Sequence, residues 1–274
     1  MKLKEYWPSW RAARAMKNLP LDKLLRPSKS TLPVIVTLTS IPSRLQSLHL
    51  TIRSVLNQSS KPEKIVLWLH HDLEDQVPPQ LRQLQGECFE IRYVDLNCSH
   101  RKLIHALDAY PNKILVTCDD DLIYDQSWLR RLYDTHQTDN KAIIAHVCRR
   151  ITWGPNGQLM PYKQWPIVRD GAQYHDNLLP IGYGGVLYPP NSLPKQTVDV
   201  SLFMSLAPRA DDLWFKAMSW LHGTKVRCSI SSTPSPQPII GSQKVSLLKS
   251  NVREDGNRLQ WQALCEHFNI RMEP

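Results

Sequence analysis

Asp119-Asp120-Asp121 is the stretch whose residue types point most directly to chemistry. Three adjacent carboxylates repel one another, and a doubly charged cation among them removes that repulsion. A hard divalent ion takes oxygen ligands and keeps other positions open for phosphate oxygens. Residues 114–117 are apolar and mostly β-branched, so they read as a buried strand. The acids then stand where that strand leaves its sheet, the edge at which open α/β sheets bind ligands. A solvated acidic turn is the competing reading, and an isolated Asp-Asp-Asp does not choose between the two.

Two further groups bear on the same chemistry. Residues 208–223 read as a helix with Leu213, Trp214, Ala217, Met218 and Leu221 on one face and Gly223 just past its end. Asp211 is expected at its cap and Asp212 in its first turn. Capping accounts for one carboxylate and leaves the other to be explained, although a first-turn acid also complements the helix dipole. Upstream, Ser99 is expected to cap a helix carrying Leu103, Ile104 and Leu107. Arg101 and Lys102 then fall in its first turn, where the dipole disfavours cations, so an anion is expected nearby.

The elements that must position these groups alternate. Strands are expected at 33–40, 64–69, 90–94 and 142–147, with helices from Ser43 to about residue 56, at 78–84, through Trp128, Leu129, Leu132 and Tyr133, and at 259–268. Ser43 is the expected cap of the first of these. Strands alternating with helices imply an α/β fold with a mostly parallel central sheet and helices on both faces. Residues 151–180 resist regular assignment and read as a binding loop or lid. In Ile181-Gly-Tyr-Gly-Gly-Val-Leu-Tyr-Pro-Pro190 the glycines permit close approach of the backbone, but no P-loop spacing is present. Residues 229–244, rich in Ser and Pro, read as a loop.

The 274 residues, 42% hydrophobic and 22% charged, suit a globular domain with a substantial core. The expected division is a basic, Trp-bearing segment at 1–30, with Lys2, Lys4, Trp7, Trp10, Arg11, Arg14, Lys17, Lys23 and Arg26, and one domain at 31–274. The segment could rest on an anionic bilayer or pack on the domain. Six cysteines without CxxC spacing read as reduced, and the absence of a long apolar run or a secretory block points to the cytoplasm, with peripheral contact at the inner membrane face. A net charge of +9 favours anionic partners. The basic residues are dispersed and match no nucleic-acid motif, so nucleic acid is not the expected partner.

Taken in order, these features resemble the nucleotide-sugar-dependent glycosyltransferases of the GT-A type, in particular bacterial enzymes of cell-surface polysaccharide assembly (capsule and lipopolysaccharide). The similar blocks are Val36-Thr-Leu-Thr-Ser-Ile-Pro-Ser-Arg44, His49-Leu-Thr-Ile-Arg-Ser-Val-Leu-Asn-Gln58, Lys64-Ile-Val-Leu-Trp-Leu69, Lys102-Leu-Ile-His-Ala-Leu107, Val116-Thr-Cys-Asp-Asp-Asp-Leu-Ile-Tyr124, Gly184-Gly-Val-Leu-Tyr-Pro-Pro190 and Ala210-Asp-Asp-Leu-Trp-Phe215.

The resemblance implies a Rossmann-like GT-A sheet, a nucleotide-sugar donor with a UDP-sugar first, and a glycan or lipid-linked acceptor. It implies that Thr37, Thr39 and Arg44 hold the nucleotide, with Asp120 on the donor side, and that Lys102 meets the diphosphate or donor sugar. Asp119 and Asp121 would be the acids of a DxD pair and the ligands of Mn²⁺ or Mg²⁺, with Asp121 the more direct. Asp211 and Asp212 would supply the base, with Asp212 preferred and the reaction inverting. Gly184 and Gly185 would line the acceptor side. One departure is Asn257-Arg258, where relatives often carry an acid after the asparagine, which leaves a C-terminal metal ligand in doubt; His222 and His267 are the substitutes. Competing readings are a nucleotidyltransferase and a sugar- or nucleotide-binding domain without catalysis.

Overall fold

The computed structural model describes residues 3–28, 30–169, 171, 175–230, 234–242 and 248–272. Lys2 and parts of the 151–180 and 229–244 stretches lie outside the described residues. The chain runs through α1 (Leu3–Asn18), α2 (Leu21–Leu25), β1 (Thr31–Thr39), α3 (Leu45–Leu56), β2 (Lys61–His70), α4 (Pro79–Arg82) and β3 (Phe89–Val94). It continues with α5 (Arg101–Ala109), β4 (Ile114–Thr117), β5 (Leu122–Ile123), α6 (Trp128–Thr138), β6 (Ile143–Ala145), β7 (Cys148–Arg150), β8 (Ile167–Val168), β9 (Leu178–Pro180) and β10 (Val186–Tyr188). The last elements are α7 (Val200–Leu206), α8 (Asp211–Leu221), β11 (Val226–Cys228), β12 (Gln237–Pro238) and α9 (Gly256–Phe268).

Seven strands form the central sheet in the order β11-β6-β10-β4-β1-β2-β3. β1 is parallel to β2 and β4, β2 to β3, and β6 to β11, while β10 is antiparallel to both its neighbours. The expected mostly parallel α/β sheet is therefore present. β1 reads as an almost unbroken apolar run because both its faces are covered. Val34, Val36 and Leu38 point to a core shared with Leu48, Ile52 and Val55 of α3 and with Trp128, Leu129 and Leu132 of α6. Ile35, on the other face, joins Leu103 and Ile104 of α5, Trp214 and Met218 of α8, and Trp261 and Leu264 of α9. The two-residue period of a strand thus distributes one sequence between two cores.

Three expected caps are not caps. Ser43 lies inside a 3₁₀ turn, Pro42–Arg44, so α3 begins at Leu45 after Arg44. α5 begins after His100 rather than Ser99. α8 has Ala210 as its boundary residue, which places Asp211 and Asp212 both within the first turn. None of the three boundary residues makes a side-chain capping bond. The expected 142–147 strand is shorter, β6 at Ile143–Ala145, and β7 begins just past its expected end in a different sheet.

The region from 151 to 180 is more ordered than its composition suggests. It contributes β8 and β9 to a small sheet with β7, and buries Tyr162 and Trp165. The Ser/Pro stretch contributes β12, which pairs with β5 directly after the aspartates. All six cysteines are free thiols.

Candidate active site

The three aspartates leave β4 in different directions. Asp120 turns inward, where Arg44 Nη1 lies 2.5 Å from its Oδ1 and Ser40 Oγ donates to its other oxygen. Thr51 Oγ1 donates to the Asp120 backbone carbonyl at 2.9 Å, which fixes the turn. Asp121 Oδ2 sits 3.1 Å from Arg44 Nη2. Burial, and then the negative Asp119 beside it, push the Asp121 carboxyl up to about 7 in spite of Arg44. Asp119 is the most open of the three, its side chain 32% exposed.

Lys102 joins this turn to α8. Its Nζ lies 3.3 Å from Asp119 Oδ1 and 2.8 Å from Asp211 Oδ2. The anion expected near the first turn of α5 is therefore a pair of carboxylates. Burial lowers the proton affinity of Lys102, but Asp211 and then Asp119 outweigh it and hold the ammonium firmly charged. For Asp211 burial raises the pKa, and Lys102 reverses that and brings it below the usual carboxylate range. Asp212, one residue on and half-buried, is shifted the other way. Burial and its negative neighbour Asp211 push it up to about 7. Two adjacent acids are thus separated in proton affinity by the placement of one lysine.

Gly182 closes this cluster. Its N–H donates to Asp212 Oδ2 at 3.0 Å. A Cβ on Gly182 would stand 2.9 Å from Asp212 Oδ1, 3.0 Å from Lys102 Nζ and 3.5 Å from Asp119 Oδ1. Tyr124 ties the two loops together: its hydroxyl accepts from the Asp119 N–H at 2.9 Å and donates to the Tyr183 carbonyl at 3.2 Å. The aspartate turn, the start of α5, the start of α8 and the 182–184 turn therefore meet around Gly182.

The other expected site residues brace this edge. Thr37 Oγ1 donates to the Lys102 carbonyl and accepts from Trp68 Nε1 at 2.9 Å. Thr39 Oγ1 donates to the Trp68 carbonyl at 2.8 Å and accepts from Arg101 Nε. Both threonines are thus engaged with neighbouring protein groups, as is Arg44. Gly184 packs on Val147, and Gly185, at φ 98°, approaches the Trp128 ring so closely that a Cβ would stand 2.5 Å from Nε1. The glycine facing the carboxylates is Gly182.

Among the described residues, no group of three or more His, Cys, Asp or Glu side chains could hold a metal ion. His222 donates to or accepts from no acid of this cluster; its Nε2 lies 2.9 Å from the Asn191 carbonyl. A divalent ion here would have two protein carboxylates, Asp119 and Asp121, and the donor's phosphate oxygens. Carboxylate and phosphate oxygens are the donors a hard cation takes, and here the two carboxylates are paired with protein cations, Asp121 with Arg44 Nη2 at 3.1 Å and Asp119 with Lys102 Nζ at 3.3 Å.

The family model described as Glycosyl transferase family 2 matches residues 34–186, more than half of the chain. The chain belongs to this family. Glycosyl transferase family 2 thus accounts for the frame from β1 to the start of β10, including Lys102, the aspartates and the 182–184 turn. Asp211 and Asp212 fall beyond the matched residues, so their place rests on geometry.

No curated protein matches the chain. In structure it is similar to S. aureus TarS 1-349, with 13% identity and a TM-score of 0.44 over 76% of this chain and 59% of that one. It is also similar to the 4-diphosphocytidyl-2C-methyl-D-erythritol synthase of Anaerococcus prevotii DSM 20548, with 12% identity and a TM-score of 0.46 over 90% of this chain and 99% of that one. The chain therefore spans 59% of the TarS chain.

Sequence reading missed Ser40, Tyr124 and Gly182. Ser40 and Tyr124 lie inside the quoted blocks, and their only signal was adjacency to the aspartates in the fold. Gly182 had a signal, the first glycine of Gly-Tyr-Gly-Gly, which the Gly184-Gly185 pair obscured.

Proposed function

We propose that this chain transfers a sugar from a nucleoside-diphosphate sugar, with UDP-sugars first, to a hydroxyl of a glycan or lipid-linked acceptor, with inversion at the anomeric carbon. One observation carries the reading: Asp119 and Asp212 both face the position of the absent Gly182 Cβ, with Lys102 beside them. A donor acid, a cation and a proton-accepting acid brought together at one place are what such a transfer requires.

Asp119 and Asp121 would hold Mn²⁺ or Mg²⁺, which when bound supplies positive charge for the departing diphosphate. Lys102, held charged, adds a fixed cation on the same side. Asp211 stays ionised under Lys102 and is a poor base; its role is to position Lys102 and the start of α8. Asp212, with its carboxyl near 7, suits proton transfer at neutral pH. The acceptor oxygen attacks the anomeric carbon as its proton passes to Asp212, and the bond to the diphosphate oxygen breaks with its electron pair leaving on the nucleoside diphosphate. A single displacement of this kind inverts the centre. The Gly182 N–H aims Asp212 by donating to the carboxylate oxygen.

The test is a screen of nucleotide-sugars with Mn²⁺ or Mg²⁺, reading released nucleoside diphosphate. Metal-dependent release from one donor supports the reading. Pyrophosphate from a nucleoside triphosphate would replace it with nucleotidyl transfer, and nucleotide binding without turnover would replace it with a binding domain.

A further inference from the structure

α1 presents two unlike faces. Ala12, Ala13 and Met16 pack on Leu50 of α3, Ile123 of β5 and Ile239. The guanidinium of Arg53, on α3, seals the C-terminal end of the helix by donating to the carbonyls of Met16 at 2.7 Å and of Leu19. At 100° per residue, Trp7, Arg11 and Arg14 fall on the opposite side, with Trp10 and Lys17 on one flank of it. Trp7 is 68% exposed and Trp10 38%. The two indoles meet edge to face at 5.5 Å, and the Arg14 guanidinium lies over the Trp10 ring at 5.2 Å.

Folding ordinarily buries tryptophan, and this helix instead holds two outward, interleaved with cations. α1 carries Lys4, Arg11, Arg14 and Lys17 against a single acid, Glu5. Indole and basic side chains on one helical face suit the boundary between lipid headgroups and acyl chains, where the ring finds an apolar bed and the cations find phosphate. A protein partner would need an acidic surface with its own apolar pockets, whereas an anionic bilayer supplies both features everywhere. From these observations we infer that the outward face of α1 docks on an anionic membrane surface.

The location gives the contact a use. Ile239 packs against α1, and its N–H donates to the Asp121 carbonyl at 2.9 Å. One layer of side chains therefore separates α1 from the backbone of the aspartate turn, with the docking face on the far side of the helix. If the glycosyl transfer reading holds, docking brings that edge of the sheet to the lipid, where a lipid-linked acceptor resides.

The experiment is co-sedimentation of the full chain with vesicles of phosphatidylcholine alone and with added phosphatidylglycerol, at low and physiological salt. The full chain is expected to sediment with the anionic vesicles and to be released by salt. Trp7→Ala/Trp10→Ala and Arg11→Glu/Arg14→Glu should each weaken binding by about tenfold or more, with thermal stability and donor hydrolysis unchanged. Equal binding by either double variant, or no binding to anionic vesicles, overturns the inference. Trp7-dependent binding to a single-stranded oligonucleotide in place of vesicles overturns it in favour of nucleic acid. Sedimentation needs no turnover, so this result and that of the donor screen stand or fall separately.

Discussion

The Nζ of Lys102 lies 2.8 Å from Oδ2 of Asp211, which joins the first turns of α5 and α8 across the edge of the sheet. The dipole of α5 disfavours a cation at that position. The carboxylates of Asp211 and Asp119 outweigh it, and the lysine in turn fixes which of the two α8 acids keeps its proton.

The first consequence is a pH profile. Asp212 must be ionised to accept a proton, and its carboxyl is pushed up to about 7. Activity should therefore climb as pH rises through about 7 and fall about tenfold per unit below it. The pH dependence of kcat/KM for donor and acceptor checks this; a profile flat from pH 5 to 8 would remove Asp212 as the base.

The same shift has a stability cost of opposite sign. A carboxyl whose pKa is raised on folding binds its proton more tightly in the folded chain, so its ionisation opposes folding from about 4 upward, and fully so above 7. Asp212→Asn keeps an oxygen for the Gly182 N–H and removes that charge. We expect the variant to gain about 1–3 kcal/mol of stability at pH 8 and almost nothing at pH 4, measured by denaturant titration at the two pH values. A loss of stability at pH 8 would contradict this.

Arg44→Met should be costly for a reason independent of any ligand. Asp120 is 4% exposed and relies on Arg44 and Ser40. Removing one partner of a buried pair leaves a charge uncompensated, at about 3–5 kcal/mol. Chemical denaturation of the variant checks the figure; a loss below about 1 kcal/mol would mean that the pair is solvated.

Gly182→Ala tests the close approach of these groups at residue 182. The new methyl would meet Asp212 and Lys102 at about 3 Å. These are ends of side chains and can shift, so stability should change little, whereas a displaced base should lower kcat by about a hundredfold. Nucleotide-sugar turnover and thermal melting of the variant separate the two effects.

The sheet was legible because its strands are apolar runs bounded by Pro, Asp and Ser, and alternation with helices leaves few topologies. The aspartate turn, Lys102 and the α8 acids were legible as charges in want of partners, since each stands where local structure disfavours it or does not need it, and they do meet in the fold. Helix starts were misread at Ser43, Ser99 and Asp211, because capping is a local rule and tertiary partners had claimed the neighbouring side chains: Arg44 for Asp120, and Asp211 for Lys102. The 151–180 stretch misled for a related reason. Its Pro and Gly content looks irregular, yet it places Tyr162 and Trp165 in the core through pairings that no local pattern announces.

The most direct measurement compares wild type and Asp212→Asn for two quantities, metal-dependent release of nucleoside diphosphate from the preferred donor in the presence of acceptor, and affinity for the nucleoside diphosphate with Mn²⁺. We predict that turnover falls by about 10²–10⁴ in the variant while affinity stays within about twofold. Turnover equal to wild type, or affinity lost together with turnover, would contradict a base facing the donor acids across Gly182.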